Sequence, residues 1–315
     1  MAMNRVKKIA LKALSRSTMD LKKNFKLHRK VIIAAHPYIK PLYNLLDRKI
    51  MCGDREIPVR IFKPKQAEGL KVLLFFHGGG WVTGNIDSYT NICANMANQT
   101  GHIVVSVDYR LAPEHPFPAG VEDCYYVAKA IYLDNSLFHS MPEEITLIGD
   151  SAGANLAAVV SLMARDRGEF LPNRQILLYP STNNDHSENS SFRSVLDNGT
   201  DYLMTSKRIS EYMDLYISKE EDRNNPYVAP LLAQDLNKQP KTLIITAQYD
   251  PLRDEGEAYG IRLKKYGNNV EIKRMKDALH GFLSLPKRSV YVTICYEIIN
   301  RFLHEETLDE TSKKG

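Results

Sequence analysis

Ser151, set in Gly149-Asp150-Ser151-Ala152-Gly153, and the triplet Gly78-Gly79-Gly80, set in His77-Gly78-Gly79-Gly80-Trp81, have the residue types and spacing for acyl transfer. A serine hydroxyl attacks a carbonyl only when a base takes its proton and donors receive the developing oxyanion. Backbone N–H groups in a glycine run can act as those donors, because no Cβ obstructs their approach. The two segments therefore predict a nucleophile at Ser151 and an oxyanion hole made of the Ala152 N–H and two of the N–H groups of Gly78, Gly79 and Gly80. A glycine loop after a strand could instead cradle phosphate, but neither Gly-x-Gly-x-x-Gly nor Gly-Lys-Ser/Thr occurs at this loop. His77 reads as a buried imidazole bonded to backbone rather than a catalytic group.

Local patterning supplies the elements that must hold these residues. Residues 71–76 form a near-continuous apolar run directly before His77, and 144–148 form another before the serine motif. The Ala-, Leu- and Val-rich stretch after Ser151 has no proline and predicts a buried helix. Ser151 thus falls on a sharp strand-to-helix turn, where Gly149 and Gly153 leave space that side chains would fill. Apolar strands are expected at 71–76, 102–107, 145–149, 174–179, 242–247 and 270–275, with helices at 88–99, 120–134, 152–165, 254–265 and 287–304. That alternation argues for a mostly parallel sheet covered by helices on both faces. The last helix is expected to carry Val290, Ile294, Ile298 and Phe302 on one stripe.

Five motifs in order resemble the hormone-sensitive lipase family of α/β-hydrolases. They are His77 to Trp81, Asp108-Tyr109-Arg110-Leu111-Ala112-Pro113-Glu114-His115-Pro116, Gly149 to Gly153, Asp250-Pro251-Leu252-Arg253-Asp254-Glu255-Gly256 and His280-Gly281-Phe282. The resemblance implies an α/β-hydrolase fold with a helical cap, and a chain order of serine, acid, then histidine. His280 is the histidine after Ser151 that falls at a strand end, whereas His186 lies in a polar stretch and His304 in the final helix. It is expected to act as general base. Asp250, Asp254 and Glu255 all follow an apolar strand and any could orient an imidazole; Asp250 lies nearest the strand end, and acids at 254 and 255 suit a helix first turn. The resemblance points to Asp250. No metal or organic cofactor is called for.

The function expected is hydrolysis of short-chain acyl esters through Ser151, His280 and Asp250. Two alternatives share the fold: an amidase or deacetylase, and a non-catalytic small-molecule receptor like the plant gibberellin receptors, which resemble this family but have the catalytic histidine replaced. His280 favours an enzyme. The Asp108 to Pro116 segment is read as scaffold, stiffened by prolines and by a pairing of Arg110 with Glu114.

With 315 residues, 43% of them hydrophobic, the chain can bury a full core without splitting into two cores. Residues 1–30 hold ten Lys or Arg against Asp20 alone, a surplus of nine within a formal total of +5, so the remainder carries −4. A mildly acidic body is a poor surface for nucleic acid. Val6, Ile9, Leu11 and Leu14 interleave with the N-terminal lysines, and a cap helix, a membrane-surface helix and a solvated arm compete as readings. By resemblance, residues 1–45 are assigned to a cap, completed by an insertion at about 181–240 in the catalytic domain 46–315. In that insertion Ile209, Tyr212, Met213 and Tyr216 recur at helical spacing. The four cysteines form no Cys-x-x-Cys or metal spacing, and no apolar leader run is seen, which predicts reduced thiols in the cytoplasm. The expected partner is a small-molecule ester, with no stable membrane insertion; weak surface contact of the N-terminus and a homodimer stay open.

Overall fold

The computed structural model describes residues 12, 15, 20–35, 45–53, 55–65, 71–134, 138 and 140–312. Its frame is one eight-stranded sheet: β1 (Leu45–Cys52), β2 (Arg55–Phe62), β3 (Val72–Phe76), β4 (Ile103–Val107), β5 (Ile145–Asp150), β6 (Arg174–Leu178), β7 (Lys241–Tyr249) and β8 (Val270–Leu279). The strand order is β1-β2-β4-β3-β5-β6-β7-β8. β2 runs antiparallel to both β1 and β4, and the other pairings are parallel.

The apolar runs explain the central strands, because a strand covered on both faces needs no polar alternation. In β3, Val72, Leu74 and Phe76 enter one core cluster, while Leu73 and Phe75 enter the other. Helices α3 (Ala119–Leu133), α4 (Ala152–Arg167) and α7 (Arg253–Lys265) cover the first face; α2 (Thr90–Thr100) and α8 (Val290–Ser312) cover the second. The buried side of α8 is Val292, Cys295, Tyr296, Ile299, Phe302 and Leu303, whereas Val290 and Ile294 are exposed. The expected stripe therefore holds only toward its C-terminal end. Strict i, i+4 spacing drifts around a helix of 3.6 residues per turn, so a four-step row leaves the contact face.

The β1–β2 hairpin was not anticipated. β1 is an edge strand whose sequence Leu-Leu-Asp-Arg-Lys-Ile-Met-Cys is charged and mostly exposed, and β2 carries Pro58 within its span. Arg60 of β2 is nonetheless buried, forking onto Asp47 at 2.6 and 2.9 Å and reaching Asp87 at 2.7 Å. The expected Arg110–Glu114 pairing is absent. Arg110 binds Asp123 of α3 at 2.9 Å, and Glu114 points the other way to Arg29 at 3.0 Å.

Arg29 belongs to α1 (Leu21–Ala35), whose helix is broken at Asn24. The interleaved residues Val6, Ile9, Leu11 and Leu14 lie outside the described residues. Two further helices, α5 (Arg193–Asn198) and α6 (Ser206–Tyr216), follow β6. In α6, Ile209, Tyr212, Met213 and Tyr216 are all buried, and the helix packs against α1. Among the described residues no helix is long and apolar enough to cross a membrane.

Candidate active site

β5 delivers Ser151 to the carboxyl end of the sheet, where the chain turns into α4. The turn is tight enough to place Ser151 at φ 54° and ψ −120°, a region costly for a residue with a Cβ. Close approach explains the flanking glycines. A Cβ on Gly149 would lie 2.2 Å from the Gly153 carbonyl oxygen, and one on Gly153 would lie 2.0 Å from that of Phe76. The strained turn is pinned by the Ser151 N–H, which donates to the Leu178 carbonyl at 2.8 Å.

Ser151 Oγ lies 2.9 Å from His280 Nε2. On the far side of the ring, His280 Nδ1 lies 2.7 Å from Asp250 Oδ2. With the Nδ1 proton donated to the carboxylate, the Nε2 lone pair faces the serine hydroxyl. Asp250 is buried, and its other oxygen accepts from the Leu252 N–H at 2.9 Å, which fixes the carboxylate plane. Burial alone would push the His280 pKa down, but the Asp250 charge and hydrogen bond, with smaller help from Asp150 and Glu255, raise it above the usual histidine value.

The other two acids are committed elsewhere. Asp254 accepts from the Ser194 N–H at 2.7 Å and pairs with Arg253, also at 2.7 Å. Glu255 is buried, accepts from the Thr182 and Asn183 N–H groups, and meets His186 Nε2 at 2.7 Å. His186, which lies in a polar stretch of the sequence, is a buried partner that anchors the segment after β6. Asp250 alone of the three reaches His280.

One of the three loop glycines is set apart from the other two. The Gly78 N–H donates to Asp150 Oδ1 at 2.7 Å, so it is not available to a substrate oxygen. Among the described residues no acceptor meets the N–H groups of Gly79, Gly80 or Ala152. Gly79 and Gly80 have φ of 123° and 60°, left-handed conformations suited to glycine. The Ala152 N–H is one of the unpaired donors of a helix first turn, where the dipole favours negative charge. A cavity of about 20 Å³ lies against Gly80, Ser151 and Ala152, closed by Met204, Ile209 and Tyr212. Tyr212 packs so closely that a Cβ on Gly80 would meet its ring at 2.3 Å.

His77 stays within the scaffold. Its Nδ1–H donates to the Gly78 carbonyl at 2.8 Å, its ring stacks on Tyr109 at 4.3 Å, and burial lowers its pKa to about 4. Sequence reasoning gave no role to Asp150, Tyr179 or Arg29. Asp150 stood inside a quoted motif, but the other two acquire their partners only through the fold.

The family model described as alpha/beta hydrolase fold matches residues 73–284. The carboxylic ester hydrolase LipN of Mycobacterium tuberculosis is 36% identical over 265 residues, covering 82% of this chain and 69% of that protein. An arylesterase of Saccharolobus solfataricus is 35% identical over 255 residues, covering 81% of this chain and 82% of that protein. Among solved structures, a hyperthermophilic esterase from the archaeon Pyrobaculum calidifontis superposes with a TM-score of 0.84 at 33% identity, covering 98% of this chain and 99% of that one.

Proposed function

The chain belongs to the hormone-sensitive lipase family of α/β-hydrolases, and from that premise we propose that it is a carboxylesterase acting on esters of short acyl chains through Ser151, His280 and Asp250. Ser151 Oγ attacks the ester carbonyl while His280 Nε2 takes its proton, and the resulting imidazolium is stabilised by Asp250. The oxyanion is received by the N–H groups of Gly79, Gly80 and Ala152. His280 then returns the proton to the leaving alcohol, and water, activated in the same way, releases the acid from the acyl-enzyme.

The observation that carries this reading is the unbroken chain from Ser151 Oγ through His280 to Asp250, at 2.9 and 2.7 Å, beside three N–H groups that meet no acceptor among the described residues. The intact imidazole argues against a receptor that has lost turnover. The short-chain assignment is supported by Tyr212, whose ring packs against Gly80 and lines the space beside Ser151. In this reading α1 and α6 are parts of a cap, tied by Lys22 to Asp214 at 2.9 Å. The four cysteines, none of them in a disulfide, suit a reducing cytoplasm.

Hydrolysis of p-nitrophenyl esters from acetate to palmitate, for the wild type and Ser151→Ala, tests the proposal. Acetate and butyrate should be the best substrates, and the variant should fall to background. A preference for long chains would overturn the acyl-size assignment, and undiminished activity in the variant would remove the nucleophile.

A further inference from the structure

Asp150 is a buried carboxylate that the mechanism above does not use. It ends β5, is 3% exposed, and stands directly before the nucleophile. Its Oδ1 accepts from the Gly78 N–H at 2.7 Å, and its Oδ2 accepts from the hydroxyls of Tyr89 at 3.2 Å and Tyr179 at 3.3 Å. Among the described residues no Lys or Arg pairs with it. A charge taken out of water this completely is costly unless donors satisfy it, and here three neutral donors converge on one side chain.

Each donor leads to a different part of the site. Gly78 is the residue before the Gly79 and Gly80 N–H groups, and its amide plane sets the direction from which the loop continues. A Cβ on Gly78 would come within 2.7 Å of Asp150 Oδ2, so a glycine is what lets amide and carboxylate meet. Tyr179 bonds Asp150 with its hydroxyl and packs its ring edge-on against His280, with centroids 4.9 Å apart. Tyr89 closes the third side and faces a separate cavity of about 180 Å³ bounded by Gly78, Gly79, Ile32 and Ser284.

We propose, building on the hydrolytic reading, that Asp150 is a positioning residue: one buried carboxylate fixes the oxyanion loop through Gly78 and, through Tyr179, the ring of His280. The same negative charge favours the imidazolium that forms when His280 takes the serine proton. The titratable groups facing Asp150 are Tyr89, Cys93, Tyr109, Tyr179, Tyr296 and His280. Burial pushes the thiol and the phenols up, away from neutrality, which leaves His280 as the neighbour that titrates with it. Burial also lifts Asp150 itself to about 6.

Asp150→Ala and Asp150→Asn test the assignment with p-nitrophenyl acetate, and with phenylboronic acid as a probe that forms a tetrahedral adduct on the serine. Asp150→Ala should lose roughly 10²-fold in kcat with little change in KM, and boronic acid affinity should weaken in parallel. Asp150→Asn keeps an acceptor for Gly78 and should recover most of that loss. Because it lacks the charge that helps raise His280, the acid limb of its kcat/KM profile should move to lower pH. A merely structural carboxylate would change melting temperature and expression without moving that limb. The proposal is overturned if Asp150→Ala keeps wild-type kcat and boronic acid affinity, or if the limb of Asp150→Asn stays in place; the second result stands even where the alanine variant does not fold. Activity that survives Ser151→Ala would instead sink the underlying hydrolytic reading.

Discussion

Asp250 Oδ2 sits 2.7 Å from His280 Nδ1, on the side of the imidazole opposite Ser151. The contact orients the ring and favours its charged form, so His280 holds its proton to higher pH than an ordinary histidine of pKa 6.5. In the proposed mechanism the neutral ring is the active base, so kcat/KM should fall as pH drops through a midpoint above 6.5. Asp250→Asn should lose about 10³–10⁴ in kcat through the wrong tautomer. Asp254→Asn should stay close to the wild type, because Asp254 serves Ser194 and Arg253. A pH–rate series on the three proteins checks this; a large loss from Asp254→Asn with none from Asp250→Asn would reverse the assignment.

Tyr212 forms the wall over Gly80 and limits the space beside Ser151. Tyr212→Ala should raise kcat/KM for p-nitrophenyl octanoate relative to acetate by about tenfold or more, the scale on which a few methylenes discriminate. An unchanged ratio would mean that the acyl chain leaves the site in another direction.

Arg29 bolts α1 to the body. Its Nε donates to the Val82 carbonyl at 2.9 Å, one Nη to the Ala112 carbonyl at 3.1 Å, and both Nη groups to Glu114 at 3.0 and 3.1 Å. Arg29→Met should lower Tm by roughly 2–4 °C, and trypsin should cut between Lys22 and Lys30 faster. Identical melting and cleavage would show that α1 is held by packing alone.

The central parallel strands and the elbow were legible in the sequence because continuous apolar runs and glycine punctuation are local signals. The hairpin of β1 and β2 was not, since a charged edge strand and a strand containing Pro58 carry neither a clean alternation nor an apolar run. Partner choice was also hidden where it depends on the fold. Arg110 and Glu114 are four residues apart, yet one turns to Asp123 and the other to Arg29. Gly78 looked equivalent to its two neighbours, and only the approach of Asp150 distinguishes it.

His102 is buried beside the Thr100 carbonyl, which its Nδ1–H meets at 2.6 Å, and burial lowers its pKa to about 4. The folded state thus favours the neutral ring. Its contribution to stability is present above pH 6.5 and is lost as pH falls through about 4. His102→Gln should therefore melt below the wild type at pH 7, with the gap narrowing toward pH 4. A gap that widens on acidification would contradict the sign. Asp150 works in the opposite sense, its contribution fading as pH rises through about 6, but it is common to both proteins and cancels in the difference.

Covalent capture by diethyl p-nitrophenyl phosphate tests the central claim most directly, because phosphorylation needs an activated hydroxyl and an oxyanion hole but no particular acyl pocket. The account predicts one equivalent of p-nitrophenol released per chain, a diethylphosphoryl mass on the peptide containing Ser151, and no label on Ser151→Ala. A stoichiometric label on another residue, or Ser151 left unmodified while ester hydrolysis proceeds, would contradict it.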